Sequence, residues 1–295
     1  MSFKITYLFF IVLNLTACAS SNILRFSVIG DTPYYESDSE LAVLSESLNK
    51  MGQENIPFVI HVGDIIRSNT SCSKELFKMR ANVFSNSPMP FLITIGDNEF
   101  NDCSKPEEAL SNFRKIILGD PPLIQEVQGK DNNFFSIKVT RQKSIIENAK
   151  WTENNVDFIM LTLPDFPGKT KLTEELANLI FNANLEFLTT GFQSAKSNNR
   201  DAIVLIMHSD PRACNVKGCF DLNEIISKNI NNFKKPVLLI NGSDHSFIFE
   251  DEFQGLSNWW HLRPGSEPEV RWPEITYSNK TNKFSVKWHK APDEF

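Results

Sequence analysis

The chain has 295 residues, 41 % of them apolar and 22 % charged, with a formal net charge of −6. That length and balance allow one large domain or two small ones around a sizeable core. The absence of a basic excess gives no nucleic-acid-binding signature, and the scattered charges read as a solvated surface.

The first element is a targeting segment. Residues 5–15 (ITYLFFIVLNL) form an apolar run of 11 behind a weakly basic start. A membrane-spanning helix needs about 20 residues, so the run fits the core of a signal sequence. It ends in Leu15-Thr16-Ala17-Cys18, which resembles the lipobox of bacterial lipoproteins. The resemblance implies removal of residues 1–17 and lipidation of Cys18. Residues 18–22 would then be a short anchor segment and 23–295 a single domain. Several acyl chains, at ~0.8 kcal/mol per buried CH₂, hold a protein on a membrane stably. Ala19 and Ser20 follow the cysteine, and the lack of Asp there implies the outer membrane of a bacterial envelope, facing the periplasm.

Four cysteines remain, Cys72, Cys103, Cys214 and Cys219. In an exported chain an even number reads as bridges, and four allow three pairings. Cys214 and Cys219 bracket the short stretch NVKG and pair in this reading, which leaves Cys72 with Cys103. These two follow Asp64 by eight residues and Asp97 by six. A bridge between them would pin two neighbouring loops, worth roughly 2–4 kcal/mol. The spacings suit no C-x-x-C metal site.

ILRFSVIG (23–30), IPFVIHVG (56–63) and MPFLITIG (89–96) read as buried strands: short, β-branched or aromatic, and bounded by turn residues. DSELAVLSESLNKM (38–51) and KELFKMRANVF (74–84) carry apolar residues at helical spacing. Each strand ends in Gly-Asp, and Asp31, Asp64 and Asp97 recur every 33 residues. That interval fits a strand–helix–strand crossover, which implies parallel strands. The intervening sequences do not resemble one another, which argues against a repeat array. FFSIKVT (134–140) and VDFIMLTL (156–163) are further strands. A long amphipathic helix spans 172–196, opening with Thr173-Glu174-Glu175. AIVLIMHSD (202–210) and PVLLINGSDH (236–245) repeat the opening device, an apolar strand ending in His or Asp. SFIFED, EITYS and KFSVKWH alternate like half-exposed antiparallel strands and predict a second sheet packed on the first.

Parallel strands would carry Asp31, Asp64, Asp97, His208 and Asp244/His245 to one sheet edge, where α/β proteins bind ligands. Three carboxylates there repel unless a cation sits among them, and carboxylate with imidazole suits Mn, Fe or Zn. Two such ions bridged by a carboxylate are a recurring device for phosphoester hydrolysis. An aspartate alone more often caps a helix, and a lone buried histidine more often packs; the ordered set carries the metal reading.

These pieces resemble the motifs of the calcineurin-like metallophosphoesterases, in order and over roughly 25–250. GDTPY (30–34), HVGDI (61–65), GDNEFNDC (96–103), ENAKW (147–151) and KPVLLINGSDH (235–245) look more closely like a bacterial lipoprotein subgroup with variant motifs. The resemblance implies an α/β fold of two β-sheets packed as a sandwich flanked by helices. It implies two divalent metal ions (Mn, Fe or Zn) and hydrolysis of a phosphorylated small molecule or macromolecule. Asp31 and His245 would bind the first metal, Asp97 and His208 the second, and Asp64 both. Asn98 and Glu99 are the candidate catalytic residues, Asn98 orienting phosphate or water and Glu99 orienting its neighbours.

The departures are specific. Pro33, Asn98 and Ser243 stand where the family pattern has histidines. Loss of a general acid costs about 10²–10⁴ in rate, so activated esters or anhydrides are the substrates least affected. A metallophosphoesterase-like lipoprotein serving as a binding or scaffolding protein is the alternative. Asp210 and Asp244 are spare carboxylates. Arg67, Arg80 and Arg141 are candidate phosphate holders, and His61 lies inside a strand. No G-x-S-x-G elbow supports a serine hydrolase.

Overall fold

The computed structural model describes residues 23–34, 38–68, 70–131, 135–164, 172–212, 217–251, 255–265 and 271–290. The leader 1–17, Cys18 and the anchor segment 18–22 lie outside the described residues. So do Cys214 and the side chain of Cys219, on which that pairing rests. Among the described residues, no helix is long and apolar enough to cross a membrane.

The elements run β1 (Ile23–Ile29), α1 (Asp38–Gln53), β2 (Val59–His61), α2 (Lys74–Ser85), β3 (Phe91–Ile93) and α3 (Pro106–Asn112), which continues as one π-helical turn (Phe113–Ile117). There follow β4 (Ile124–Val127), β5 (Ile137–Arg141), β6 (Ala149–Glu153), β7 (Val156–Met160), α4 (Glu174–Ser197), β8 (Ala202–Ile206) and α5 (Lys217–Phe233). The chain closes with β9 (Val237–Ile240), β10 (Ile248–Asp251), β11 (Trp259–Arg263), β12 (Arg271–Ser278) and β13 (Lys283–Lys290).

Two sheets result, one ordered β13-β12-β1-β2-β3 and the other β10-β11-β9-β8-β7-β6-β5-β4. β1, β2 and β3 are parallel, as the 33-residue crossover predicts. β7, β8, β9 and β11 form a second parallel set. The expectation that all five polar strand ends share one sheet is corrected: β1–β3 belong to one sheet and β8 and β9 to the other. The C-terminal strands do not form a sheet of their own either. β12 and β13 extend the first sheet, while β10 and β11 extend the second. A buried strand reads the same in either sheet, so local pattern does not choose between them.

The sheets face each other across an aromatic core. Phe26, Phe58 and Phe158 lie with ring centroids 5.3–5.5 Å apart. Burying each ring stabilises by about 2–3 kcal/mol. β8 is buried at every position, as expected of a central parallel strand covered on both faces. α1 and α2 pack on the outer face of the first sheet around Leu48, Phe77 and Phe84. α4 and α5 cover the second through Leu188, Phe192 and Ile226. α4 begins where Thr173 accepts a hydrogen bond from the Leu176 amide at 3.3 Å, an N-cap. The ENAKW stretch is structural: Glu147 pairs with Arg114, Trp151 enters the core, and Asn148 joins a buried amide network with Asn184 and the Thr162 amide.

Candidate metal centre

The two sheets meet where β1, β2, β3, β8 and β9 end. Asp64 and Asp97, from the first sheet, and His208, from the second, each offer a ligand atom within 4.8 Å of the others. His208 is fully buried. Its Nδ1–H donates to the Val62 carbonyl at 2.8 Å, which turns Nε2 toward Asp97 Oδ1 at 3.0 Å and Asp64 Oδ1 at 3.4 Å. A backbone partner on one ring nitrogen is the usual device that presents the other to a cation.

Backbone geometry holds these groups at some conformational expense. Asp31 and Asp64 adopt left-handed φ of 54° and 59°. Non-glycine residues in this region are uncommon and cluster at functional sites. Two glycines keep the space open. A Cβ on Gly96 would lie 2.1 Å from Asp64 Oδ1, and one on Gly242 would lie 3.0 Å from Asp31 Oδ2 and 3.1 Å from His208 Nδ1.

Glu99 is the strut of the site. Its carboxylate accepts from the Gly96, Asp64 and Ile65 amides at 2.6, 3.1 and 3.1 Å. It therefore ties the loop after β3 to the loop after β2. Both oxygens are engaged with backbone, a geometry in keeping with the orienting role read from the sequence. Asn98 donates its backbone amide to Asp64 Oδ1 at 3.1 Å. Its side-chain amide has no hydrogen-bond partner among the described residues and is free for a ligand. Cys72 and Cys103 form a disulfide with Cα atoms 5.9 Å apart, packed 3.8 and 3.5 Å from the Asn98 carbonyl oxygen.

Asp31 is buried, and its Oδ2 has no hydrogen-bond partner. Its Oδ1 accepts from the Tyr34 hydroxyl at 3.2 Å, and that hydroxyl also meets His245 Nε2 at 3.0 Å. His245 itself stands 4.0 Å from Asp31 and is 61 % exposed. Sequence reasoning missed Tyr34, although it belongs to GDTPY.

The electrostatics match a crowded acidic cluster. Burial pushes the Asp31 carboxyl up to about 6, against the opposing pull of His208 and His245. Burial also raises Asp64, and raises Glu99 to about 7. Burial would raise Asp97 too, but the His208 hydrogen bond and charge bring it below the ordinary value. Burial opposes protonation of His208, yet Asp64, Asp97 and Asp31 together hold its pKa well above normal. His61 is fully buried, donates to the Thr32 carbonyl at 2.7 Å, and is held down to about 4 by burial. It is a support, not a ligand.

The residues fit a divalent cation: an orphaned buried carboxylate oxygen, converging oxygen and imidazole donors, and a cradle that a methyl group would fill. The spare carboxylates do not join them. Asp210 is paired with Arg212 at 2.5 Å and lies 3.4 Å from Arg263, while Asp244 pairs with Arg263 at 2.9 Å. Arg212 and Arg263 are thus the guanidinium groups beside the site, and the sequence did not single them out. Arg80 is instead buried with Nε on the Ile65 carbonyl at 2.8 Å. Arg141 lies three strands away from β8, about 14 Å at ordinary strand spacing.

No protein-family model and no curated protein matches the sequence. Solved structures do share the fold. A dimetal phosphatase from Danio rerio is 12 % identical with a TM-score of 0.56, over 91 % of this chain and 99 % of that one. GAP50, the anchor in the inner membrane complex of Plasmodium, is 15 % identical with a TM-score of 0.54, over 92 % and 86 %. Purple acid phosphatase PPD1 from yellow lupin seeds is 12 % identical with a TM-score of 0.57 over 92 % of this chain, which spans 52 % of the lupin protein. At these identities the likeness establishes the α/β two-sheet fold, one that metallophosphatases use.

Proposed function

We infer that this chain is a metal-dependent phosphoester hydrolase of the calcineurin-like type, carried on the outer membrane by lipid on Cys18. The observation that carries the reading is the convergence of Asp64, Asp97 and His208, from two sheets, on one point. Asp64, Asp97 and His208 would hold one divalent ion and Asp31 with His245 a second, Asp64 being shared. A bound cation of this kind supplies Lewis acidity and an acidified water for attack on phosphorus. Glu99 fixes the carboxylates, and the Asn98 amide would orient a phosphoryl oxygen. No histidine stands at position 98 to protonate a leaving group. Substrates whose leaving group needs no proton, such as anhydrides or aryl esters, fit this chain best. Lipid anchoring rests on Leu15-Thr16-Ala17-Cys18.

Metal analysis of the purified protein by plasma mass spectrometry, beside Asp64→Ala, tests the reading. About two ions per chain in the parent, lost in the variant together with aryl phosphate hydrolysis, support it. No stoichiometric Mn, Fe or Zn and no hydrolysis after metal addition would sink it. The exposed His245 and the residues Pro33 and Ser243 favour a second reading, a binding or scaffolding lipoprotein. GAP50, the anchor in the inner membrane complex of Plasmodium, shares the fold. Folded protein that holds one ion or none and hydrolyses nothing would support that second reading.

A further inference from the structure

The second sheet is wider than the first. β3 is the last strand on its side of the five-stranded sheet, whereas β6, β5 and β4 continue the eight-stranded sheet beyond β7. Where the sheets lie together, Thr94 Oγ1 donates to the Leu161 carbonyl at 3.1 Å, binding the end of β3 to the end of β7. Beyond β7 the overhanging strands have no opposing strand. α2 and the π-helical turn roof them incompletely, and a cavity of about 600 Å³ remains. That volume falls within the range of small-molecule sites.

Its lining is mixed: Phe84, Phe91, Ile117 and Met160 form an apolar wall, Asn82 and Gln125 add polar groups, and one guanidinium, Arg141, stands at the end of β5. Arg141 Nε and Nη2 reach Gln125 Oε1 at 3.3 Å, and Nη1 donates to the Ile146 carbonyl at 3.1 Å. Its hydrogen-bond partners are neutral, and among the described residues no carboxylate forms an ion pair with it. Glu147, the nearby acid, is taken by Arg114. Lys78 and Glu126, also on the lining, are exposed at the rim. A half-buried cation without a carboxylate in contact is costly, and burial lowers the Arg141 pKa to about 10 against the opposing charge of Glu147. A guanidinium offers five donors in a fork that matches carboxylate or phosphate.

We propose that this cavity binds a single-chain anionic amphiphile, its alkyl chain against the apolar wall and its carboxylate or phosphate head on Arg141. The site is separate from the metal centre and does not depend on it.

Isothermal titration of the full chain with dodecanoate, dodecyl phosphate, dodecanol and inorganic phosphate tests this. One or both anionic amphiphiles should bind at least ~10-fold tighter than dodecanol, the value of a charge-assisted contact, and inorganic phosphate alone should not bind there. The tighter of the two heads identifies the source, fatty acid or alkyl phosphate. Arg141→Gln should erase the preference for anions while leaving dodecanol unchanged. Ala81→Trp, on the partly exposed roof helix, should block every amphiphile. No binding, equal binding of dodecanol in the parent, or binding unaffected by both substitutions would overturn the proposal. The last result would place the amphiphile elsewhere, including on the apolar stretch 5–15.

Discussion

The floor and the rim of the candidate metal centre are built differently. On the floor, Asp31, Asp64 and His208 are buried and Asp97 half-buried, and each is fixed by backbone or by a neighbour that is itself fixed. On the rim, Ser243, Asp244 and His245 are exposed and held by side-chain contacts to Tyr34 and Arg263. Ser243 has a left-handed φ of 66°, which marks the rim as a sharp turn and not a strand end. The contrast shows where preorganisation resides. The floor keeps its shape through a buried carboxylate, while the rim depends on what it touches.

The sharpest attack on the floor is Glu99→Ala. It leaves three buried backbone amides without an acceptor, and each unsatisfied donor costs about 1–3 kcal/mol. Urea unfolding should show a loss of roughly 3–5 kcal/mol, with metal affinity falling as well. Glu99→Gln, which keeps one acceptor, should fall between. Next is the Cys72→Ser/Cys103→Ser pair. The bridge closes a loop with a sequence separation of 31, for which chain entropy gives about 3–4 kcal/mol. Thermal melts of the double variant should show that loss, and Asn98 should lose its rigid support.

A smaller effect is the pH dependence of the metal-stripped protein. Asp31 is raised from 3.8 to about 6 and Glu99 from 4.5 to about 7. A pKa raised on folding adds stability that is complete below the unfolded value and is lost as pH climbs through the folded one. The stripped chain should therefore lose melting temperature between about pH 4 and 7. Added Mn²⁺ should restore more at the top of that window, because ligands must lose protons to bind it. The smallest effect belongs to the rim. His245→Ala should leave stability within about 0.5 kcal/mol of the parent and lower only the second equivalent of metal. A stability loss equal to that of Glu99→Ala would erase the distinction between floor and rim.

Much of the floor was legible in the sequence because each candidate ligand stands at a strand end marked by Gly-Asp or by an apolar run. The helices 38–51, 74–84 and 172–196 came within two residues of α1, α2 and α4 at each end. The division into two sheets was not legible, since the alternation and burial of β8 or β9 would suit either sheet. α5 and the helical segment 106–117 have no counterpart in the sequence reading. Tyr34, Arg212 and Arg263 were hidden for another reason. Their importance arises from contacts across long sequence separations, Tyr34 with His245 and Arg263 with Asp210 and Asp244, which no local pattern announces. Glu99 was visible as a residue, but its three amide partners follow only from the fold.

His208 belongs to one sheet, while Val62, Asp64 and Asp97 belong to the other. The centre is therefore also a rivet through the seam of the sandwich. Any cation held there adds its binding free energy to the cohesion of the two halves, growing with ion concentration relative to Kd. In an ion-poor compartment the seam would be the first plane to open, baring the rings of Phe26, Phe58 and Phe158 to proteases. The lifetime of the folded chain then becomes a gauge of the ion supply around it.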